Sequence, residues 1–257
     1  MSEPRVLPCL LLMDGGLHKT VRFRKPNYVG DPVNVISIFN QFEVDEIVLL
    51  DITASLEQRG PAFESLARVA NECMIPLAYG GGIRSVADIE RIFKIGAEKV
   101  VLNSALAGNH DLIRAGADRF GSQAIVVSVD ARPRRFGRKG YVAMSHHATR
   151  VLAENAIEYA QKVEQAGAGE ILLNAVHRDG MMEGYDLDLI RQVVRAVRIP
   201  VIACGGAGDK TDLYQPILQA HASAAAAGSI FVYQNRERGV LINFPERGEI
   251  EMALELN

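Results

Sequence analysis

Residues 75–85 read IPLAYGGGIRS and residues 199–209 read IPVIACGGAGD; in both, an Ile-Pro precedes a short apolar run that stops at glycines. The two stretches lie 124 residues apart, and the repeat reaches beyond them. DEIVLLDITAS (45–55) answers to GEILLNAVHRDG (169–180), with Glu46 and Glu170 again 124 apart. AEKVVLNSAL (97–106) answers to ASAAAAGSIF (222–231), one residue out of step. Short, nearly continuous apolar runs are the pattern of parallel strands buried on both faces. Eight fall near residues 5–13, 46–51, 76–79, 99–102, 124–129, 170–174, 200–203 and 223–227. Between them, PAFESLARVANEC (61–73), VADIERIFKIG (86–96), AENAIEYAQKVEQAG (153–167) and DLDLIRQVVRAV (186–197) repeat apolar residues at three and four. That is helical spacing, and Gly96 and Gly167 stand where helices stop. Strand and helix alternating in two matching halves predict an α/β fold, a (β/α)₈ TIM barrel with a half-barrel repeat. An open doubly wound sheet is the alternative, but it has no reason to repeat at half its length.

The bulk properties agree. Of 257 residues, 48 % are apolar and 23 % charged, an ordinary composition that can bury a sizeable core. No linker or low-complexity stretch divides the chain, so residues 1–257 are expected to form one domain. A net charge of −3 supplies no basic field for nucleic acid or acidic lipid. Cys9, Cys73 and Cys204 lack metal-ligand spacing and read as reduced thiols. VLPCLLLM (6–13) follows Glu3 and precedes DGG, which does not fit a signal peptide, and no stretch approaches the roughly 20 apolar residues of a membrane span. A cytoplasmic protein without a cofactor is expected.

A barrel places its chemistry where strands end and the following loops begin. Glycine there lets the backbone approach a ligand, and amides at a helix start favour an anion. GGGIRS and CGGAG are therefore candidate phosphate cradles, joined by Ser104 and Ser229 at the adjacent strand ends. Two cradles on opposite sides of the mouth would suit a ligand with phosphates at both ends. The alternative is that the glycines only permit tight turns.

DEIVLLDITAS, YGGGIRSVAD, RFGSQAIVVSVDA, GAGEILL, RDGMMEGYDLDLIR and IPVIACGGAG closely resemble the cyclase subunit of imidazole glycerol phosphate synthase, HisF, from about residue 5 to about 232. The resemblance implies a barrel that takes ammonia from a docked glutaminase subunit, as a heterodimer, and acts on a substrate with two phosphates. It assigns Gly82, Asn103 and Ser104 to one phosphate site, and Asp179, Gly180, Gly205, Gly206, Gly228 and Ser229 to the other. Lys19 matches a mobile lysine in the first loop that closes over substrate. Arg5, Glu46, Lys99 and Glu170 match a ring of charges that gates ammonia at the bottom of the barrel. Asp45 and Glu98 lie beside it, where they could meet basic residues of the docked subunit.

One departure concerns the chemistry itself. The family uses two aspartates as general acid and base, on the first and fifth strands. Asp130 in VSVDA is the second, but CLLLMDGG places Leu11 in the position of the first, and Asp14 belongs to the loop beyond. The stretches PCLLLMDGGLHKTVRFRKPNYVGDP and AGSIFVYQNRERGVLINFPERGEI resemble a sister group, the WbuZ-type proteins associated with glycosyl amidation. There a HisF-like barrel and a glutaminase deliver ammonia to an ATP-using protein that amidinates an N-acetyl sugar nucleotide for lipopolysaccharide. RPRRFGRKGYVAMSHHATR fits neither group; its adjacent His146 and His147 lack acidic or cysteine companions and read as solvated loop residues, not metal ligands. Three readings follow: a sugar-amidation synthase subunit, a histidine-pathway cyclase that tolerates Leu11, and a non-catalytic ammonia conduit.

Overall fold

The eight apolar runs are strands: β1 (Arg5–Met13), β2 (Ile47–Asp51), β3 (Leu77–Gly80), β4 (Lys99–Leu102), β5 (Ile125–Pro133), β6 (Glu170–Ala175), β7 (Val201–Cys204) and β8 (Ala224–Ala227). They come from a computed structural model that describes residues 5–42, 44–107, 110–134, 139–234, 237–246 and 249. Residues 135–138 of the fifth-strand loop, and 235–236, 247–248 and 250 of the tail quoted above, lie outside that set. Neighbouring strands pair in parallel in chain order, and β8 returns to pair with β1 (Arg5 opposite Ala224), so the sheet closes on itself. The expected (β/α)₈ barrel is the observed fold.

A helix follows each strand: α1 (Pro32–Gln41), α2 (Phe63–Glu72), α3 (Val86–Ile95), α4 (Asp111–Phe120), α5 (Ala156–Gln165), α6 (Leu187–Ala196), α7 (Gln215–Ala220) and the short α8 (Ser229–Val232). Local chemistry sets several starts. The Asp31 carboxylate accepts from the amides of Val33 and Asn34 with Pro32 opening α1, and Ser85 and Asp88 form a capping box on α3. Gly96 ends α3 at φ 125°, open to glycine and strained for other residues.

The half-barrel repeat extends further than the sequence motifs. α1 starts at 32 and α5 at 156, α2 at 63 and α6 at 187; both pairs are 124 apart. Each half also carries an antiparallel hairpin after its first strand: Gly16–Val21 with Arg24–Gly30, and Tyr141–Ser145 with Arg150–Ala153. These hairpins rise over the mouth, and their tips meet where the rings of Phe23 and His147 stand 5.5 Å apart, edge to face.

Two-residue alternation along the strands sorts side chains between the helices and the barrel axis. Val6, Leu10 and Leu12 of β1 join the large outer core, while Leu7 and Cys9 join an inner cluster with Val48, Ala78, Val101, Val126, Leu172, Ile202, Cys204, Ala224 and Ala226. The side chains of that inner belt are apolar, with the buried Ser128 of β5 next to Leu172 at its upper edge. Below it on the same alternation come Arg5, Glu46, Lys99 and Glu170; above it come Leu11, Asn103, Asp130 and Asn174. The barrel axis therefore runs from a charged ring, through an apolar belt, to a polar mouth. No helix among the described residues is long and apolar enough to cross a membrane.

Candidate functional site at the barrel mouth

The C-terminal ends of the strands enclose a cavity at the mouth of the barrel, where this fold places its ligand sites. Lys19, Gly82, Asn103, Ser104, Asp130, Asp179, Gly180, Gly205, Gly206, Gly228 and Ser229 all line it, together with Leu11. Gly82 and Ser104 follow β3 and β4, and Gly206 and Ser229 follow β7 and β8, four strands further round the ring. The two glycine-rich ends thus face each other across the mouth.

The glycines have a packing reason of their own. At Gly82 (φ 73°) a Cβ would stand 2.6 Å from the carbonyl carbon of Gly60, and at Gly206 (φ 128°) one would stand 2.2 Å from the carbonyl oxygen of Gly184. Gly60 and Gly184 are themselves 124 apart, so each half packs one glycine loop on another. Tight packing of one loop on another is by itself enough to require glycine at these two positions. Gly206→Ala is expected to destabilise the protein by on the order of 3 kcal/mol, read as a lower urea midpoint, because strained φ and backbone collision add.

Asp130 sits near the end of β5, paired in register with Asn174 of β6. Ser128 Oγ donates to its Oδ1 (3.0 Å) and Asn103 Nδ2 to its Oδ2 (3.3 Å). Burial, opposed by the Ser128 bond and reinforced by the charge of Asp179, pushes its pKa up to about 7. A carboxyl that exchanges its proton near neutrality is suited to general acid–base work. The other two mouth carboxylates are occupied. Asp51 is held by Arg59 through two bonds (2.6 and 2.9 Å), and Asp179 accepts from Lys19 Nζ (2.7 Å) and Thr20 Oγ1 (3.1 Å).

Lys19 lies on the first strand of the hairpin over the mouth. It is 6 % exposed and points from the first hairpin into the mouth, its Nζ also donating to Thr20 O (2.9 Å). The hairpin is further tied to the loop after β6, since the Arg22 amide donates to Asp179 O (2.8 Å). Asn103 Nδ2 donates toward Ser128 O (3.0 Å), Asp130 Oδ2 (3.3 Å) and Met144 O (3.3 Å), while its Oδ1 accepts from Ser104 Oγ (3.2 Å). His146 and His147 are half-buried; the His146 amide donates to Ser104 Oγ (3.1 Å), and His147 lines the mouth. Asp14 faces a separate cleft with Glu57, Arg59 and Arg91 and is absent from the mouth lining. Among the described residues no cluster of three or more His, Cys, Asp or Glu is placed to hold a metal.

Asn174 was missed by sequence reasoning. It is 7 % exposed and lines the mouth, yet its Oδ1 has no hydrogen-bond partner. The signal was available, because Asn174 ends GEILLN as Asp130 nearly ends VSVDA, but a polar residue closing an apolar run carries no mark of its role.

At the opposite end the four charges form a closed ring. Arg5 Nη1 pairs with Glu46 (2.6 Å) and its Nη2 with Glu170; Lys99 Nζ pairs with Glu46 (2.8 Å) and Glu170 (2.9 Å). Burial pulls the Arg5 pKa down, but Glu170 and then Glu46 and Asp45 outweigh it, so the net shift is upward. Asp45 and Glu98 are exposed beside the ring, with Asp45 also accepting from the Val6 amide (2.9 Å).

The sequence pattern of the histidine biosynthesis protein family matches residues 5–237. A Pseudomonas aeruginosa chain provisionally named imidazole glycerol phosphate synthase subunit hisF2 is 47 % identical over 98 % of this chain and all of its own length. The imidazole glycerol phosphate synthase subunits HisF of Natranaerobius thermophilus and Caulobacter vibrioides are 39 % and 42 % identical, over 99 % and 90 % of this chain and 100 % and 88 % of their own. With its closed barrel and a match over nearly its whole described length, the chain belongs to the HisF family.

Proposed function

We propose that this chain is an ammonia-receiving synthase subunit, which accepts ammonia from a glutaminase docked at the charged ring and delivers it to a phosphorylated acceptor in the mouth. The observation that carries the reading is the layering of the axis. Ammonium is a poor nucleophile, so a synthase fed by glutamine gains by passing neutral ammonia through a dry interior. The apolar belt between ring and mouth offers such an interior, and it disfavours the charged form. The four-charge ring closes its lower end with contacts that can open and re-form. Asp45 and Glu98 would orient the glutaminase by charge more than they would add affinity.

In the mouth, Asp130 is the proton-transfer group, Lys19 neutralises charge beside Gly228, and Gly82 with Ser104 and Gly206 with Ser229 hold phosphates at the two ends. Asn174 offers its unpartnered amide oxygen to the acceptor. Leu11 supports amidination of an N-acetyl sugar nucleotide, with an ATP-using protein as activating partner. The second reading, ring closure to imidazole glycerol phosphate and aminoimidazole carboxamide ribotide in histidine biosynthesis, is favoured by the names of the relatives and by the two-ended mouth.

Lys99→Ala tests the conduit. Arg5 still bridges Glu46 and Glu170 in that variant, so the fold should survive. The expected result is uncoupling: glutamine hydrolysis continues, product per glutamine falls several-fold, and turnover with added ammonium salt persists. A ring that only closes the barrel bottom predicts lower stability with unchanged coupling. Barrel and glutaminase that fail to associate at micromolar concentration, with substrate present, would end the proposal.

A further inference from the structure

We infer that the Gly82 end of the mouth takes two directly linked phosphoryl groups, a diphosphate ester, with Arg84 and Arg150 binding the outer one. This rests on the reading of Gly82 and Ser104 as a phosphate cradle. The mouth does not end at that cradle. A groove shares Ser55, Gly82 and Ser104 with the main cavity and is lined also by Arg84 and His146. Arg84 and His146 also line an adjoining space together with Thr149 and Arg150.

Both guanidiniums are exposed, and neither forms an ion pair or hydrogen bond through its side chain among the described residues. The nearest carboxylate along the chain, Asp88, is occupied by the Arg84 and Ser85 amides (each 3.0 Å) as part of the α3 cap. Arg150 is held in place relative to the cradle. It pairs in register with buried Ser145, and the adjoining turn is pinned by the His146 amide on Ser104 Oγ (3.1 Å). Arg150 lines the same space as His146 and Arg84, beside the groove.

Backbone amides and a serine hydroxyl suffice for one phosphate. A second phosphoryl group attached to the first adds negative charge beyond the reach of the loop amides, and planar guanidiniums match its oxygens in pairs. The other end of the mouth lacks this extension. Gly208 stands where the repeat carries Arg84. The duplicated halves are therefore built for unequal anions.

Inorganic phosphate and pyrophosphate, titrated calorimetrically into the full chain with ¹⁵N amide shifts recorded in parallel, test this. Pyrophosphate is expected to bind at least about tenfold more tightly than phosphate and to move the Gly82 and Ser104 amides. Arg84→Gln with Arg150→Gln, both on the surface, should abolish that advantage and leave phosphate affinity unchanged. Equal affinities, or a pyrophosphate advantage that survives the double variant, would overturn the inference. If neither anion moves the Gly82 and Ser104 amides, the cradle reading itself has failed, and the diphosphate subsite falls with it.

Discussion

Asp130→Asn is expected to lower synthase turnover with ammonium salt by about 10²–10⁴-fold while making the protein more stable at alkaline pH. Both effects come from one cause. Burial raises the Asp130 pKa from its ordinary 3.8 to about 7, so between those values the folded protein holds a proton that the unfolded chain has released. The unfolded state binds fewer protons there, and stability falls as pH rises through that window. Below pH 4 the carboxyl is neutral in both states and the substitution should be nearly silent. Above pH 7 the folded protein carries a buried anion, and asparagine, which keeps the shape without the charge, should recover a few kcal/mol. Turnover moves the other way, because asparagine cannot accept or release a proton. Urea unfolding at pH 4 and pH 8, beside turnover of the same samples, separates this from a generic defect. A variant that is less stable at both pH values and proportionately less active would show Asp130 to be a packing residue.

The fold was legible because burial on both faces leaves a direct trace: eight apolar runs map onto eight strands with ends shifted by at most one residue, except that β5 runs four residues further, to Pro133. The hairpins over the mouth left no such trace. Gly16–Val21 has no fully exposed position while residues 24–28 are all exposed, so neither strand shows a two-residue alternation, and their pairing depends on a turn with Arg22 and Phe23 at positive φ. α1 had a readable start in Asp31-Pro32, yet α4, with no side-chain cap, did not. The charged ring could be read because each member falls at or beside a strand start, and strand starts converge on one rim. Pairing within the mouth could not be read, since Lys19 meets Asp179 across 160 residues. Asp51 shows the converse. A carboxylate at a strand end looks catalytic by position, and only the bidentate Arg59 contact reveals that it braces the loop.

Ring closure of the histidine precursor with ammonium ion should proceed at least about 10²-fold more slowly on this chain than on a family member with an aspartate at position 11. The mouth contains three carboxyl groups among the described residues, Asp51, Asp130 and Asp179. Arg59 neutralises the first and Lys19 the third, which leaves Asp130 as the one without a cationic partner. A reaction that needs an acid and a base on opposite walls finds only Leu11 opposite, on β1, where it pairs with Leu50 of β2 and His18 of the hairpin. Asp14 cannot step in, because it lines a different cleft. Leu11 is only partly buried and faces the cavity, so Leu11→Asp should be accommodated. The measurement is cyclase turnover of wild type and Leu11→Asp under saturating ammonium salt, beside growth of a strain lacking its own cyclase. The expected result is no rescue by the wild-type chain and a gain of at least about tenfold for the variant. Rescue by the wild-type chain at ordinary expression would mean that Asp130 alone carries both proton transfers, and the amidination reading would lose the observation that supports it.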